Sequence, residues 1–179
     1  MKPIRIGLSG HMSSGKSVVA DFLTKNCDFR ELSFAAKLKE ITSDLFGVQG
    51  KDPIERSILQ QVGMHMREVD PSVWVRYVVR QVPLHRHVVI SDVRYPNEFA
   101  TLKGLGFVMV RMVMSAEEQA RLLQQHYPGL PQILTEDYSE TALDEFKFDH
   151  YIYNEKENTI QDVYDQAARL IDGLVKRGD

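Results

Sequence analysis

Gly10-His11-Met12-Ser13-Ser14-Gly15-Lys16-Ser17 fits the phosphate-binding pattern G-x-x-x-x-G-K-[ST] without a mismatch. Before it, Ile4-Arg5-Ile6-Gly7-Leu8 predicts a short strand. After it, Val18-Val19-Ala20-Asp21-Phe22-Leu23 starts an amphipathic helix. The motif therefore has the strand–loop–helix setting of a P-loop. Its residue types follow from the chemistry. Gly10 and Gly15 allow backbone angles that turn successive N–H groups inward around an anion, with Ser13 and Ser14 inside the loop. The new helix points the positive end of its dipole at the same spot. Lys16 is expected to reach the β- and γ-phosphates of ATP, and the Ser17 hydroxyl to ligate Mg²⁺.

The surrounding chain is compatible with such an enzyme. Its 179 residues, 43% of them hydrophobic, suit one globular domain over 1–179, or a core with a small insertion. A net charge of −3 argues against a nucleic-acid-binding surface, which would be strongly basic. The single cysteine, Cys27, excludes an internal disulfide and fits a reducing, cytoplasmic setting. No apolar run approaches a membrane span, and the N-terminus lacks a secretory pattern. The six histidines show no metal-ligand spacing.

Working outward, strands are predicted over 29–34, 87–92, 107–114 and 148–153. Helices are predicted over 35–46, 53–69, from a Ser72 cap to near Pro83, from Pro96 to Gly104 or Gly106, 115–126 and 159–176. Ser115 with Glu118 reads as a capping box. The loop from Tyr127 to Glu140 carries Pro128, Gly129 and Pro131, and a loop of that length suggests a lid.

Several residues stand out as candidates. His87-Val88-Val89-Ile90-Ser91-Asp92 is a buried-type strand ending in an acid, which places Asp92 at the carboxyl end of the sheet. There it would hold Mg²⁺ through water or accept a proton from the attacking group, or else is a plain strand-end aspartate. Arg94, two residues on, would balance charge on the transferred group. Glu98 either pairs with Arg94 or favours the start of its own helix. Over 53–69, Arg56, Gln60, Gly63 and Arg67 form a stripe of two guanidiniums, an amide and a gap. Guanidiniums suit bidentate phosphate recognition. A mid-helix glycine costs about 1 kcal/mol against alanine, which suggests close approach of a ligand; the alternative is an ordinary solvated face. Lys37 sits where cations oppose the helix dipole, so it either serves an anion in the cleft or is a solvated surface lysine. Trp74 is either core or ligand platform. Arg121 would enter the site only when the lid closes, or is a surface arginine.

Taken in order, the P-loop, Phe34-Ala35-Ala36-Lys37-Leu38-Lys39, Gln60-Gln61-Val62-Gly63 with Arg67, Trp74, Ser91-Asp92-Val93-Arg94-Tyr95-Pro96-Asn97-Glu98, Ser139-Glu140 and Phe148-Asp149 with Ile152 and Asn154 form a familiar series. The chain resembles the phage-type deoxynucleoside monophosphate kinases, within the adenylate-kinase-like P-loop kinases. That resemblance implies an α/β P-loop fold with a five-stranded parallel sheet between helices. It also implies a helical acceptor-binding region over 35–80 and a lid over 115–140. The implied reaction turns ATP and a deoxynucleoside monophosphate into ADP and the diphosphate, with ATP and Mg²⁺ as cofactors. Carried over, Gly10, Gly15, Lys16 and Ser17 hold ATP and Mg²⁺. Lys37, Arg67 and Arg94 contact the acceptor phosphate, Gln60 and Trp74 line its pocket, and Asn154 approaches the adenine. The lid departs from the arginine-rich pattern, since only Arg121 lies between Met112 and Glu140; Arg111 looks too far back on its strand to substitute. The implied partner is a nucleoside monophosphate, with no nucleic acid or membrane, in a monomer or homodimer. The rival readings are a kinase for another small phosphorylated acceptor, such as phosphomevalonate or dephospho-coenzyme A, and a nucleotide-binding regulatory ATPase.

Overall fold

Val88, Val89 and Ile90 have no exposed surface, and they form the middle of the sheet. Val88 and Ile90 pack into one apolar cluster while Val89 packs into the other, the two-residue alternation of a strand covered on both faces. In a computed structural model, which describes residues 2–48, 53–127 and 138–177, this strand is β3 (Val88–Ile90). The others are β1 (Arg5–Ser9), β2 (Arg30–Leu32), β4 (Val108–Val113) and β5 (His150–Tyr153). They lie in the order β2-β3-β1-β4-β5, and every pair is parallel.

Parallel neighbours need crossovers, and the chain supplies them as helices on both faces. One face carries α1 (Lys16–Asn26) and α8 (Ile160–Arg177); the other carries α2 (Phe34–Phe46), α4 (Val73–Val79) and α5 (Pro96–Gly104). The helix α3 (Pro53–Val69) packs on α2 and α4, and α6 (Ala116–His126) and α7 (Tyr138–Thr141) follow β4.

The sequence expectations hold for all five strands, with ends trimmed by a few residues. The predicted strand over 29–34 stops at Leu32, because Phe34 already belongs to α2. Ser115 caps α6 by accepting from the Glu118 N–H, but the expected capping box is not completed, because the Ser115 N–H donates to Glu155 Oε2 and the Glu118 carboxylate holds Arg121. Of the expected lid over 115–140, residues 128–137 lie outside the described residues, as do 49–52 of the acceptor-binding region. Among the described residues, no helix is long and apolar enough to cross a membrane.

Candidate active site

The site is built where β1 ends. Its loop turns back on itself through Gly10 at φ 149°, Ser13 at 64° and Gly15 at 94°, and then enters α1. Gly10 and Gly15 are required by space as well as by angle. A Cβ on Gly10 would meet Ser14 Oγ at 2.7 Å and Met112 Cβ at 2.9 Å; one on Gly15 would meet Asn154 Nδ2 at 2.7 Å. The Ser14 hydroxyl is buried without a hydrogen-bond partner. Lys16 Nζ folds back to donate to the carbonyls of Gly10 (2.6 Å) and His11 (2.7 Å). Burial, then Arg94 and Arg111, push its ammonium down to about 7, while Asp92 acts the other way. Ser17 is exposed.

Arg94 reaches the same place from the loop after β3. Its guanidinium pairs with Glu140, whose carboxylate also accepts from the Met12 N–H of the P-loop at 2.7 Å. Arg111 arrives from β4, where the register sets it opposite Ser9, and it donates to Ser9 Oγ at 3.1 Å and pairs with Asp144. Sequence reasoning set Arg111 aside as too far back. The parallel pairing with β1 sets the last residue of β1 and Arg111 side by side at the mouth of the P-loop. The signal was present: Arg111 is a charge inside an otherwise apolar strand.

The stripe on α3 faces this region. Arg56 donates to Met12 Sδ at 3.7 Å and lies over the Tyr127 ring at 4.0 Å, with its Nε buried and unpartnered. Arg67 lies over the Tyr95 ring at 4.0 Å and pairs with Glu98 at 3.3 Å. Glu98 accepts from the backbone N–H groups of Arg94 (2.9 Å) and Tyr95 (3.1 Å), so it caps α5 and ties Arg67 to the Arg94 loop. Burial pushes this carboxyl up to about 7 against those bonds. Gln60 is half-buried on the same stripe.

Other expected site residues have different surroundings. Gly63 is buried, and a Cβ there would meet Leu38 Cδ2 of α2 at 3.0 Å and Arg67 Nη1 at 3.4 Å. The gap serves helix packing and the Arg67 side chain. Trp74 is 3% exposed within the core and donates to the Gly63 carbonyl at 3.4 Å, so it does not line an open pocket. Lys37 pairs with Glu40 on its own helix and faces Tyr77 and Asp44. Asp92 accepts from Ser33 Oγ (2.7 Å) and from the N–H groups of Phe34 (2.9 Å) and Ala35 (2.8 Å). It thereby caps α2, leaving about one of four lone-pair directions for a metal-bound water. Asn154 donates to the Ser14 carbonyl at 3.2 Å and braces the P-loop.

Arg121 is held by Glu118 in two hydrogen bonds, at 2.6 and 2.7 Å. It lines a hollow with Glu117, Glu155, Lys156 and Glu157. The residue of α6 that meets the P-loop is Gln119, which donates to the Met12 carbonyl at 3.2 Å. Two residues further on, the helix has turned by about 200°, so Arg121 looks elsewhere. Sequence reasoning missed Gln119, Glu140 and Asp144 as partners of the loop; of these, only Glu140 belonged to a recognised motif.

No family model matches the chain. ORF77, an uncharacterized protein of Ictalurid herpesvirus 1 (strain Auburn), is 32% identical over 152 residues, 82% of this chain. The match spans 61% of that protein, less than two thirds of its length. A protein of Acanthamoeba polyphaga mimivirus provisionally named deoxynucleotide monophosphate kinase is 28% identical over 203 residues, 94% of this chain and 96% of its own. Among solved structures, shikimate kinase from Acinetobacter baumannii in complex with shikimate superposes with a TM-score of 0.61 and 14% identity, over 98% of this chain and 94% of that one. Sheet order, a P-loop at the end of β1 and this likeness over almost the full length give the chain the fold of the P-loop kinases.

Proposed function

We propose that this protein transfers a phosphoryl group from ATP to a (deoxy)nucleoside monophosphate, giving ADP and the diphosphate. One observation carries the reading. The buried ammonium of Lys16 has two guanidiniums nearby, Arg94 and Arg111, whose charges add to burial in pushing it down to about 7. Such crowding of positive charge is costly for an empty protein and useful for one that must align two phosphates. The stripe of Arg56 and Arg67 extends the positive face, and the name of the mimivirus relative favours a nucleoside monophosphate as the acceptor.

The residues fit ATP. The loop is wrapped as an anion cradle, and two buried polar atoms at it, Ser14 Oγ and Arg56 Nε, have no partner among the described residues. Ser17 would hold Mg²⁺, with Asp92 reaching its water at most, and the ion would supply charge neutralisation across the phosphates. The chain's own part is positional. Lys16 unfolds from its loop carbonyls onto phosphate oxygens. Arg94 and Arg111 meet charge on the transferred group. The acceptor oxygen is already ionised at neutral pH, so no strong general base is needed.

The test is ADP release coupled to a panel of deoxynucleoside monophosphates, with phosphomevalonate, dephospho-coenzyme A and no acceptor as further arms. Turnover that depends on one or more of the monophosphates is expected. Equal turnover without any acceptor would refute the reading, as would turnover only with one of the other two.

A further inference from the structure

The stretch from Glu140, the last residue of the expected lid, to Asp144 carries two carboxylates at its ends, and each performs the same double task. Glu140 Oε2 accepts from the Met12 N–H at 2.7 Å while Oε1 pairs with Arg94. Asp144 Oδ1 bonds His11 Nε2 at 2.8 Å and pairs with Arg111. One residue of the P-loop and one phosphate-facing arginine are thus held by each acid. Between the acids, Leu143 is 1% exposed and belongs to the apolar core with Phe99 and Phe148. The burial of Leu143 anchors the stretch that carries both carboxylates. The Glu140 side chain is itself 3% exposed, whereas that of Arg94 is 29% exposed.

We propose that Glu140 is the positioning residue for Arg94 in the phosphoryl transfer, with Asp144 doing the same for Arg111; this rests on the functional reading above. A long arginine at a loop has many rotamers, and fixing one before substrate arrives removes that entropy from the reaction. A buried carboxylate anchored to a P-loop amide fixes the guanidinium relative to the donor phosphates. Glu140 acts only through Arg94, and its bond to Met12 sets the distance between the arginine and the loop. It takes no proton and touches no reacting atom.

Turnover with saturating deoxynucleoside monophosphate is measured for the wild type, E140Q, E140D, R94A and E140Q/R94A, with thermal melting to check folding. E140Q is expected to lower kcat about tenfold or more while the KM for ATP moves less than about twofold. E140D, which keeps the charge, recovers part of the loss. In the R94A background, adding E140Q costs less than about twofold, since the residue it works through has gone. A full loss persisting in that background, or a loss confined to the KM for ATP, overturns the proposal. A wild type without acceptor-dependent turnover would refute the functional reading instead. The same cycle read by calorimetric binding of inorganic tripolyphosphate then decides Glu140. Weakening of about threefold in E140Q that vanishes in the R94A background supports it, and unchanged or tighter binding in E140Q overturns it.

Discussion

If Lys16 titrates near 7 in the ligand-free protein, phosphate binding must take up a proton. Burial and the charges of Arg94 and Arg111 push this ammonium from 10.5 down to about 7. At pH 8 about nine in ten molecules then hold a neutral amine, and at pH 7 about half. A bound polyphosphate supplies the opposite charge and returns Lys16 to its ordinary range. Binding should therefore take up about 0.9 proton at pH 8 and about 0.5 at pH 7. Calorimetric titration of a non-hydrolysable ATP analogue, in two buffers of different ionisation enthalpy, reads this number as a slope. In K16R the guanidinium is charged throughout, so the slope should fall to near zero. A zero slope in the wild type at pH 8, or the same slope in K16R, would refute the reasoning. The linkage has a second face. Between pH 7 and 10.5 the unfolded chain holds a proton on Lys16 that the folded chain lacks, so the stability of the ligand-free protein should rise with pH across that window. The contribution of Lys16 is at most about 1.4 kcal/mol per pH unit, and K16R should remove it.

Trp74 fills core rather than pocket, so W74F should leave the acceptor KM within about twofold, whereas W74A should cost about 3–5 kcal/mol in denaturant unfolding. Burial pushes the Glu98 carboxyl up from 4.5 to about 7, which makes the folded state the better proton binder in that interval. Stability from this residue should therefore fall as pH rises from 4.5 to 7, and the difference between wild type and E98Q in melting temperature should change across that range and level off above it. Removing the cation that sequence reasoning set aside, in R111M, should lower kcat about tenfold or more in the coupled assay. It should also shrink proton uptake at pH 8, because one of the charges depressing Lys16 has gone.

What could be read in the chain and what could not divide along the range of the interactions. The P-loop is a local object: its glycines, lysine and following helix lie within a few residues, and φ values of 149° and 94° at Gly10 and Gly15 are what their positions demand. The strand ending at Asp92 was legible for the same reason, as an unbroken apolar run. The roles of single side chains were not. Asp92 occupies the expected end of the sheet, yet its oxygens are taken by the start of α2, more than fifty residues earlier in the chain. A helix start needs its N–H groups satisfied, Ser33 makes no side-chain cap, and the nearest strand-end acid fills the vacancy. Arg121 and Gln119 show how helical phase decides. Both are polar and lie two residues apart on α6, and only the one turned toward the loop meets it.

The arginines carry this point furthest. Arg94 and Arg111 could each have been surface residues by composition, and nothing within a turn of either fixes their direction. Their partners, Glu140 and Asp144, come 46 and 33 residues later, from a segment whose own place is set by burying Leu143 in the core. The positive face of the site thus depends on an apolar contact that has no charge in it. An unpaired arginine this close to Lys16 would be driven outward by repulsion and solvation. The two acids pair with both guanidiniums beside the loop, which is why the pattern of charges makes sense only after the chain has closed around its sheet.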